Sequence, residues 1–287
     1  MRDLLSIADL GRDDLTEILD LSERGNLGRP LDGKGVALVF QKPSARTRNS
    51  IEMAVVQLGG HPVYIQKEEI GLGTRETAED VARTLACYHD VIAARVTHHR
   101  DLVAMAAATD TPLLNLLSDS DHPLQALADI LTIKQLLGRV DGARVAYVGD
   151  GDNNVCRSLA QACSLVGAKL AIASPDGYGL EDAPAGVRQV AEPAEAVDGA
   201  RIVYTDVWVS MGQDAEAEVR RRAFAGYQVD EALMARSDGA WFLHCLPARR
   251  GEEVTDGVID SARSAVWRQA ENRMHTARGA LAWMLRS

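Results

Sequence analysis

Short apolar runs that end in polar turns alternate with stretches of helical periodicity from one end of this chain to the other, and few folds accommodate that pattern. Val36 to Phe40, Pro62 to Ile65, Val91 to Ala94 and Leu113 to Leu116 read as buried strands in the first half. Arg144 to Val148, Leu170 to Ala173, Ile202 to Tyr204 and Trp241 to Leu243 do so in the second. Amphipathic segments lie between them. Leu15, Ile18 and Leu19 mark an opening helix, and Ile51, Ala54, Val55 and Leu58 recur at i, i+3, i+4 and i+7. Such alternation predicts an α/β protein: two doubly wound parallel-sheet domains bridged by helices, one of them running from Pro123 to about Leu137. At 287 residues and 46% hydrophobic, the chain can fill two cores.

Charge and cysteine usage narrow the function classes. With 31 basic against 41 acidic residues the net charge is -10, which argues against a general nucleic-acid or anionic-membrane binder, so any anion site must be local. Cys87, Cys156, Cys163 and Cys245 have neither metal-ligand spacing nor disulfide density, and a reducing cytoplasm is the expected setting. Met1 to Leu5 lacks a long apolar stretch and no apolar run approaches ~20 residues, so export and membrane insertion are not expected.

One local anion site is written into Phe40 to Ser50. Pro43 breaks the strand, Ser44 is suited to cap the next helix, and Gly59-Gly60 ends it. A helix start favours acidic residues, yet this one holds Arg46 and Arg48, with Lys42 just before. Each such cation destabilises by ~0.3–1 kcal/mol unless an anion sits there, and phosphate suits both the arginine fork and the free N–H groups. A solvated basic helix start is the alternative. Arg95, at the carboxyl end of its strand, is a second candidate anion contact. His122 and Gln125, three apart at a helix start, are placed to donate to one carbonyl oxygen, although a lone histidine there is more often structural. Arg273 also reads as a cation in a helix's first turn, or as a surface ion pair.

The second half offers a different chemistry. Gly149-Asp150-Gly151 follows a strand as a dinucleotide turn would, but the third glycine is absent and two aspartates stand where a pyrophosphate would lie. Asp150, Asp152 and Asn154 suit an ammonium group better. Asp206 ends another strand, followed by Trp208, which looks exposed, and by Ser210-Met211-Gly212; the stretch reads as a closing loop, or else Asp206 caps a helix and Met211 is filler under a loop. Cys245, beside His244 at a strand end, is either inert core or faces a ligand. Gln66 to Arg75, polar and glycine-containing, reads as a mobile loop or a surface connection.

Four of these motifs, in this order, resemble the ornithine carbamoyltransferases within the aspartate and ornithine carbamoyltransferase group. Ser44-Ala45-Arg46-Thr47-Arg48 is similar to the carbamoyl-phosphate signature Ser-Thr-Arg-Thr-Arg, and His122-Pro123-Leu124-Gln125 to His-Pro-x-Gln. Asp206 through Gly212 resembles the ornithine-binding Asp and its Ser-Met-Gly loop, and His244-Cys245-Leu246-Pro247 the family's His-Cys-Leu-Pro. Ala45 replaces the usual threonine, and Gly71 falls where some relatives have a polar residue.

The resemblance implies transfer of the carbamoyl group of carbamoyl phosphate to L-ornithine, giving L-citrulline and phosphate, without metal or organic cofactor. It implies that Ser44, Ala45, Arg46, Thr47, Arg95, His122, Gln125, Cys245, Leu246 and Arg273 serve carbamoyl phosphate, with Arg46, Arg95, His122 and Cys245 catalytic. Asn154, Asp206, Ser210 and Met211 would hold ornithine. It further implies a carbamoyl-phosphate domain at 1–130 joined by a returning helix at 270–287, an ornithine domain at 131–269, a cleft between them, and a homotrimer. Two other classes are weighed against this: a nucleotide-dependent oxidoreductase, which the acidic turn opposes, and a carbamoyl-phosphate binder without catalysis, which Arg46, His122, Asp206 and Cys245 oppose.

Overall fold

The computed structural model describes residues 2–210 and 214–286, and the chain divides into two compact units, 1–128 with 271–287, and 129–270. In the first unit, helix α1 (Arg12–Glu23) precedes strand β1 (Gly35–Phe40), α2 (Ala45–Gln57), β2 (His61–Gln66) and the one-turn α3 (Lys67–Ile70). Then come α4 (Ala78–Ala86), β3 (Val91–Arg95), α5 (His99–Ala108), β4 (Leu113–Leu117) and α6 (Pro123–Leu137). The second unit holds β5 (Arg144–Val148), α7 (Asn154–Val166), β6 (Lys169–Ala173), β7 (Arg188–Val190), α8 (Pro193–Val197) and β8 (Ile202–Thr205). It continues through α9 (Ala217–Ala223), α10 (Glu231–Ala235), β9 (Trp241–His244) and α11 (Asp256–Ile259) to α12 (Val266–Met284).

Both sheets are parallel, with strand orders β2-β1-β3-β4 and β7-β6-β5-β8-β9. Central strands β1 and β3 are almost wholly buried, which is why they are written as unbroken apolar runs and not as alternating ones. In each sheet the chain leaves in one direction and later returns to add strands on the other side. That reversal falls between β1 and β3 in the first unit and between β5 and β8 in the second. At such points the flanking loops diverge beyond the carboxyl ends of the strands and leave room for a ligand. Phe40 pairs with Arg95 at the first switch point, and Tyr147 with Tyr204 near the second. Both helices α6 and α12 run through a unit boundary, at 128/129 and 270/271.

Several local expectations change. Gln66 to Arg75 is no open loop: it contains α3, and Ile70 and Leu72 are buried in the core with Val81 and Leu102. Gly71 ends that turn at φ 60°, and a Cβ there would lie 2.7 Å from Arg75 Cβ, so a side chain at 71 would be strained and would require Arg75 to shift. Arg273 is not in a first turn, because α12 begins at Val266, and it is buried. Trp208 is buried as well, stacked on Phe224 at 5.8 Å between ring centroids. Helix α5 and strand β7 are additions: α5 is a nearly continuous apolar run from Leu102 to Ala108 without amphipathic spacing, and β7 holds one apolar residue, Val190. No helix among the described residues is long and apolar enough to cross a membrane.

Candidate active site

The first unit gathers positive charge at its switch point. Ser44 caps α2, its Oγ accepting the Thr47 N–H at 3.3 Å, while the N–H groups of Ala45 and Arg46 belong to the first turn and have no intrahelical acceptor. Arg48 turns away: it pairs with Glu52 at 2.8 Å and lies 3.8 Å from the Tyr64 ring centroid. Arg46 is exposed and forms no ion pair among the described residues. Arg95, from the adjacent strand end, is 4% exposed and donates from Nη1 to Thr47 Oγ1 at 3.4 Å. Its Nε is buried with no hydrogen-bond partner. Burial, reinforced by Arg273 and then Arg46, pushes the Arg95 guanidinium down to about 10. Three mutually repelling arginines, two of them buried, define a place where an anion is stabilising.

Neutral donors border this charge. His122 immediately precedes α6, whose first residue is Pro123, and it is buried with a pKa well below the usual imidazole value because of burial, then Arg273, then Arg95. Gln125 Oε1 accepts from Arg273 Nη1, which fixes the amide so that its NH2 is the donor end. The structure thus brings Ser44, Ala45, Arg46, Thr47, Arg95, His122, Gln125 and Arg273 together within one unit.

At the second switch point, Asp206 and Cys245 meet. Cys245 Sγ–H donates to Asp206 Oδ1 at 3.1 Å, and the same oxygen accepts the Val207 N–H at 2.8 Å. Burial raises the Asp206 carboxyl, opposed by His244, the Cys245 hydrogen bond and the Val207 N–H. Asp206 therefore caps no helix. His244 Nδ1 accepts the Leu246 N–H at 2.9 Å, leaving Nε2–H to donate to Glu253 at 3.0 Å. Those bonds hold Leu246 at φ 60°, next to a cis Leu246–Pro247 peptide. Donor atoms of Asp206, His244 and Cys245 lie within 4.8 Å of one another, a spacing that a metal could use. Both imidazole nitrogens are already engaged, so this set does not fit a metal ion.

Asn154 opens α7, after Asn153 caps it by accepting the Cys156 N–H at 2.8 Å. Ser210 is half-buried, and Met211 lies outside the described residues. The aspartates of the turn after β5 do not present negative charge as expected: Asp150 pairs with Arg220, and Asp152 lies 3.6 Å from Arg157. Arg220, Glu253 and Gln269, whose Oε1 accepts the His244 N–H at 2.9 Å, carry no sequence signal; Arg220 sits in Arg220-Arg221-Arg222, which reads as a solvated basic run.

One parallel α/β unit carries an arginine-lined anion site and the other a part-buried Asp206–Cys245 contact, the arrangement of a two-domain α/β protein with polar groups at the strand ends of each sheet. Residues 2–135 match the family model for the aspartate/ornithine carbamoyltransferase carbamoyl-P binding domain, and residues 141–284 that for the Asp/Orn binding domain. The chain belongs to the aspartate/ornithine carbamoyltransferase family. It is 46% identical to the ornithine carbamoyltransferase of Thermus thermophilus and 45% identical to that of Hyperthermus butylicus, in each case over 99% of this chain and 97% of the relative. The solved ornithine carbamoyltransferase of Pyrococcus furiosus superposes with a TM-score of 0.93 at 43% identity, covering 98% of this chain and 96% of that one.

Proposed function

We propose that this protein is an ornithine carbamoyltransferase, converting carbamoyl phosphate and L-ornithine to L-citrulline and phosphate in arginine biosynthesis. One observation carries the reading: Arg46, Arg95 and Arg273 cluster around the N-terminus of α2, with no acidic partner for Arg46 among the described residues. A Pyrococcus furiosus relative named as the anabolic enzyme, 43% identical, supports the biosynthetic direction.

In this reading, residues 1–130 with 270–287 bind carbamoyl phosphate and 131–269 bind ornithine. Ser44, Ala45 and Thr47 hold the phosphate with Arg46, Arg95 and Arg273. Attack of a neutral amine on the carbamoyl carbon builds negative charge on the carbonyl oxygen, which Arg46, Arg95, His122 and Gln125 stabilise. A neutral His122 donates there without adding a charge that burial disfavours. Asp206 pairs with the α-ammonium of ornithine beside Asn154, Ser210 and Met211, with Cys245 and Leu246 near the reacting amine. No metal or organic cofactor takes part. The enzyme works in the cytoplasm as a homotrimer; Met53 and Val56, 46% and 50% exposed on α2, are apolar positions of the kind subunit contacts cover. Incubating the purified protein with both substrates and measuring citrulline and phosphate tests the activity: equimolar formation is expected, and phosphate release without citrulline overturns it.

A further inference from the structure

Arg220 grips both loops that diverge from the second unit's switch point. From α9 its Nη2 donates to Asp150 Oδ2 in the turn after β5, and its Nε donates at 2.6 Å to the carbonyl of Trp208 in the segment after β8. The pair is almost completely enclosed, with side-chain exposures of 6% and 1%. The guanidinium also lies 4.9 Å from the Tyr178 ring centroid and 5.6 Å from that of Phe224. Tyr178 itself binds the first turn, its carbonyl accepting the N–H groups of Gly151 and Asp152, while Trp208 stacks on Phe224.

A buried ion pair seldom stabilises more than apolar packing of the same volume, so one that spans two loops points to a geometric role. Asp150 stands four residues before Asn154, and Trp208 stands midway between Asp206 and Ser210. Fixing Asp150 and the Trp208 carbonyl to one planar fork therefore sets the distance between the turn that opens α7 and the segment that carries Asp206. Backbone pairing of β5 with β8 ends at Tyr147 and Tyr204, and Thr205 Oγ1 donates to the Val148 carbonyl at 2.6 Å, so Arg220 is a tie that reaches past these strand ends into the loops themselves.

We propose that Arg220 is a positioning residue for the amino-acid substrate, holding the Asp150–Asn154 turn and the Asp206–Ser210 segment at the separation that ornithine requires. This rests on the reading of those residues as the ornithine site. Lysine carries one donor nitrogen and cannot reach both acceptors in a fixed fork, so Arg220→Lys keeps the charge and loses the span.

The test uses the full chain with Arg220→Lys and the double variant Asp150→Asn/Arg220→Gln, which removes the buried charge altogether in case the single variant folds poorly. Thermal unfolding, carbamoyl-phosphate binding by calorimetry and the steady-state constants for ornithine are measured on each. Expected in the folded variants is a KM for ornithine raised at least about tenfold, with carbamoyl-phosphate affinity within about twofold of wild type. A structural role alone would lower the melting temperature without separating the two substrates. Wild-type ornithine KM in either folded variant, or equal losses for both substrates, overturns the proposal while citrulline formation by the unmodified protein keeps the function standing. Absence of citrulline from the unmodified protein overturns the function and this role with it.

Discussion

Cys245 donates its thiol proton to Asp206 Oδ1 at 3.1 Å, linking the carboxyl ends of β9 and β8 by a direct side-chain bond. Thr205 and His244 are paired residues of those neighbouring strands, so the next residue on each falls side by side. Parallel register thus converts two distant sequence motifs into one contact.

Removing that donor leaves Asp206, already raised by burial, with the Val207 N–H as its remaining bond to Oδ1. A hydrogen bond to a charged group contributes ~1.5–3 kcal/mol. Cys245→Ala is expected to lower catalytic efficiency for ornithine at least about tenfold, and Cys245→Ser to recover part of it because a hydroxyl also donates. Ornithine titrations of citrulline formation decide the matter: equal losses in the two variants would show that the hydrogen bond is not what matters.

Arg46 contributes its charge without a partner, so Arg46→Ala should improve rather than weaken the first unit's own electrostatics. Relief of repulsion at Arg95 predicts an unchanged or slightly higher melting temperature alongside a loss in carbamoyl-phosphate efficiency of more than tenfold. Opposite movement of stability and activity is the signature of a site built to bind an anion. Loss of both together would remove Arg46 from it.

Most of this was legible because ligand-bearing positions follow strands, and strands that are buried on both faces announce themselves. The four motifs, the Ser44 cap and the strand ends at Arg95, Asp206 and His244 all belong to that class. Partnerships over long sequence separations were not. Asp150 looked like free negative charge because Arg220, 70 residues away, leaves no periodic trace. Trp208 looked exposed because its cover, Phe224, comes from α9's end. Arg273 reads as a first-turn residue because Val266 to Asn272, the true first two turns of α12, mixes polar and apolar residues without a clear cap.

Stability should report on His122. Its folded-state pKa is depressed by burial and by Arg273 and Arg95, so below the unfolded value of about 6.5 the unfolded chain takes up a proton that the folded one refuses. The sign is therefore a loss of stability as pH falls from neutral, by roughly 1 kcal/mol per pH unit once well below 6.5. His122→Gln removes this component. Urea unfolding at pH 7 and pH 5 should show wild type losing more stability than the variant between the two; identical losses would mean that His122 is protonated in the folded protein.

Acceptor choice follows from which charges remain unspent at the second switch point. Aspartate would bring a second carboxylate, yet Asp206 to Gln213 contains no lysine or arginine, and the nearby Arg220 and Arg157 already face Asp150 and Asp152. Putrescine lacks the α-carboxylate, and an acetylated α-amine no longer forms a charged pair with Asp206. Leaving a buried polar group unpaired costs ~1–3 kcal/mol, which amounts to roughly tenfold or greater discrimination for each lost contact. L-Ornithine should therefore exceed aspartate, putrescine and N-acetylornithine by at least that factor in catalytic efficiency. Asp206→Asn should narrow the gap between ornithine and its acetylated form, since the charge that rewards a free ammonium is gone. Comparable turnover of putrescine or acetylornithine by the unaltered protein would rule out Asp206 as the partner of the α-amine.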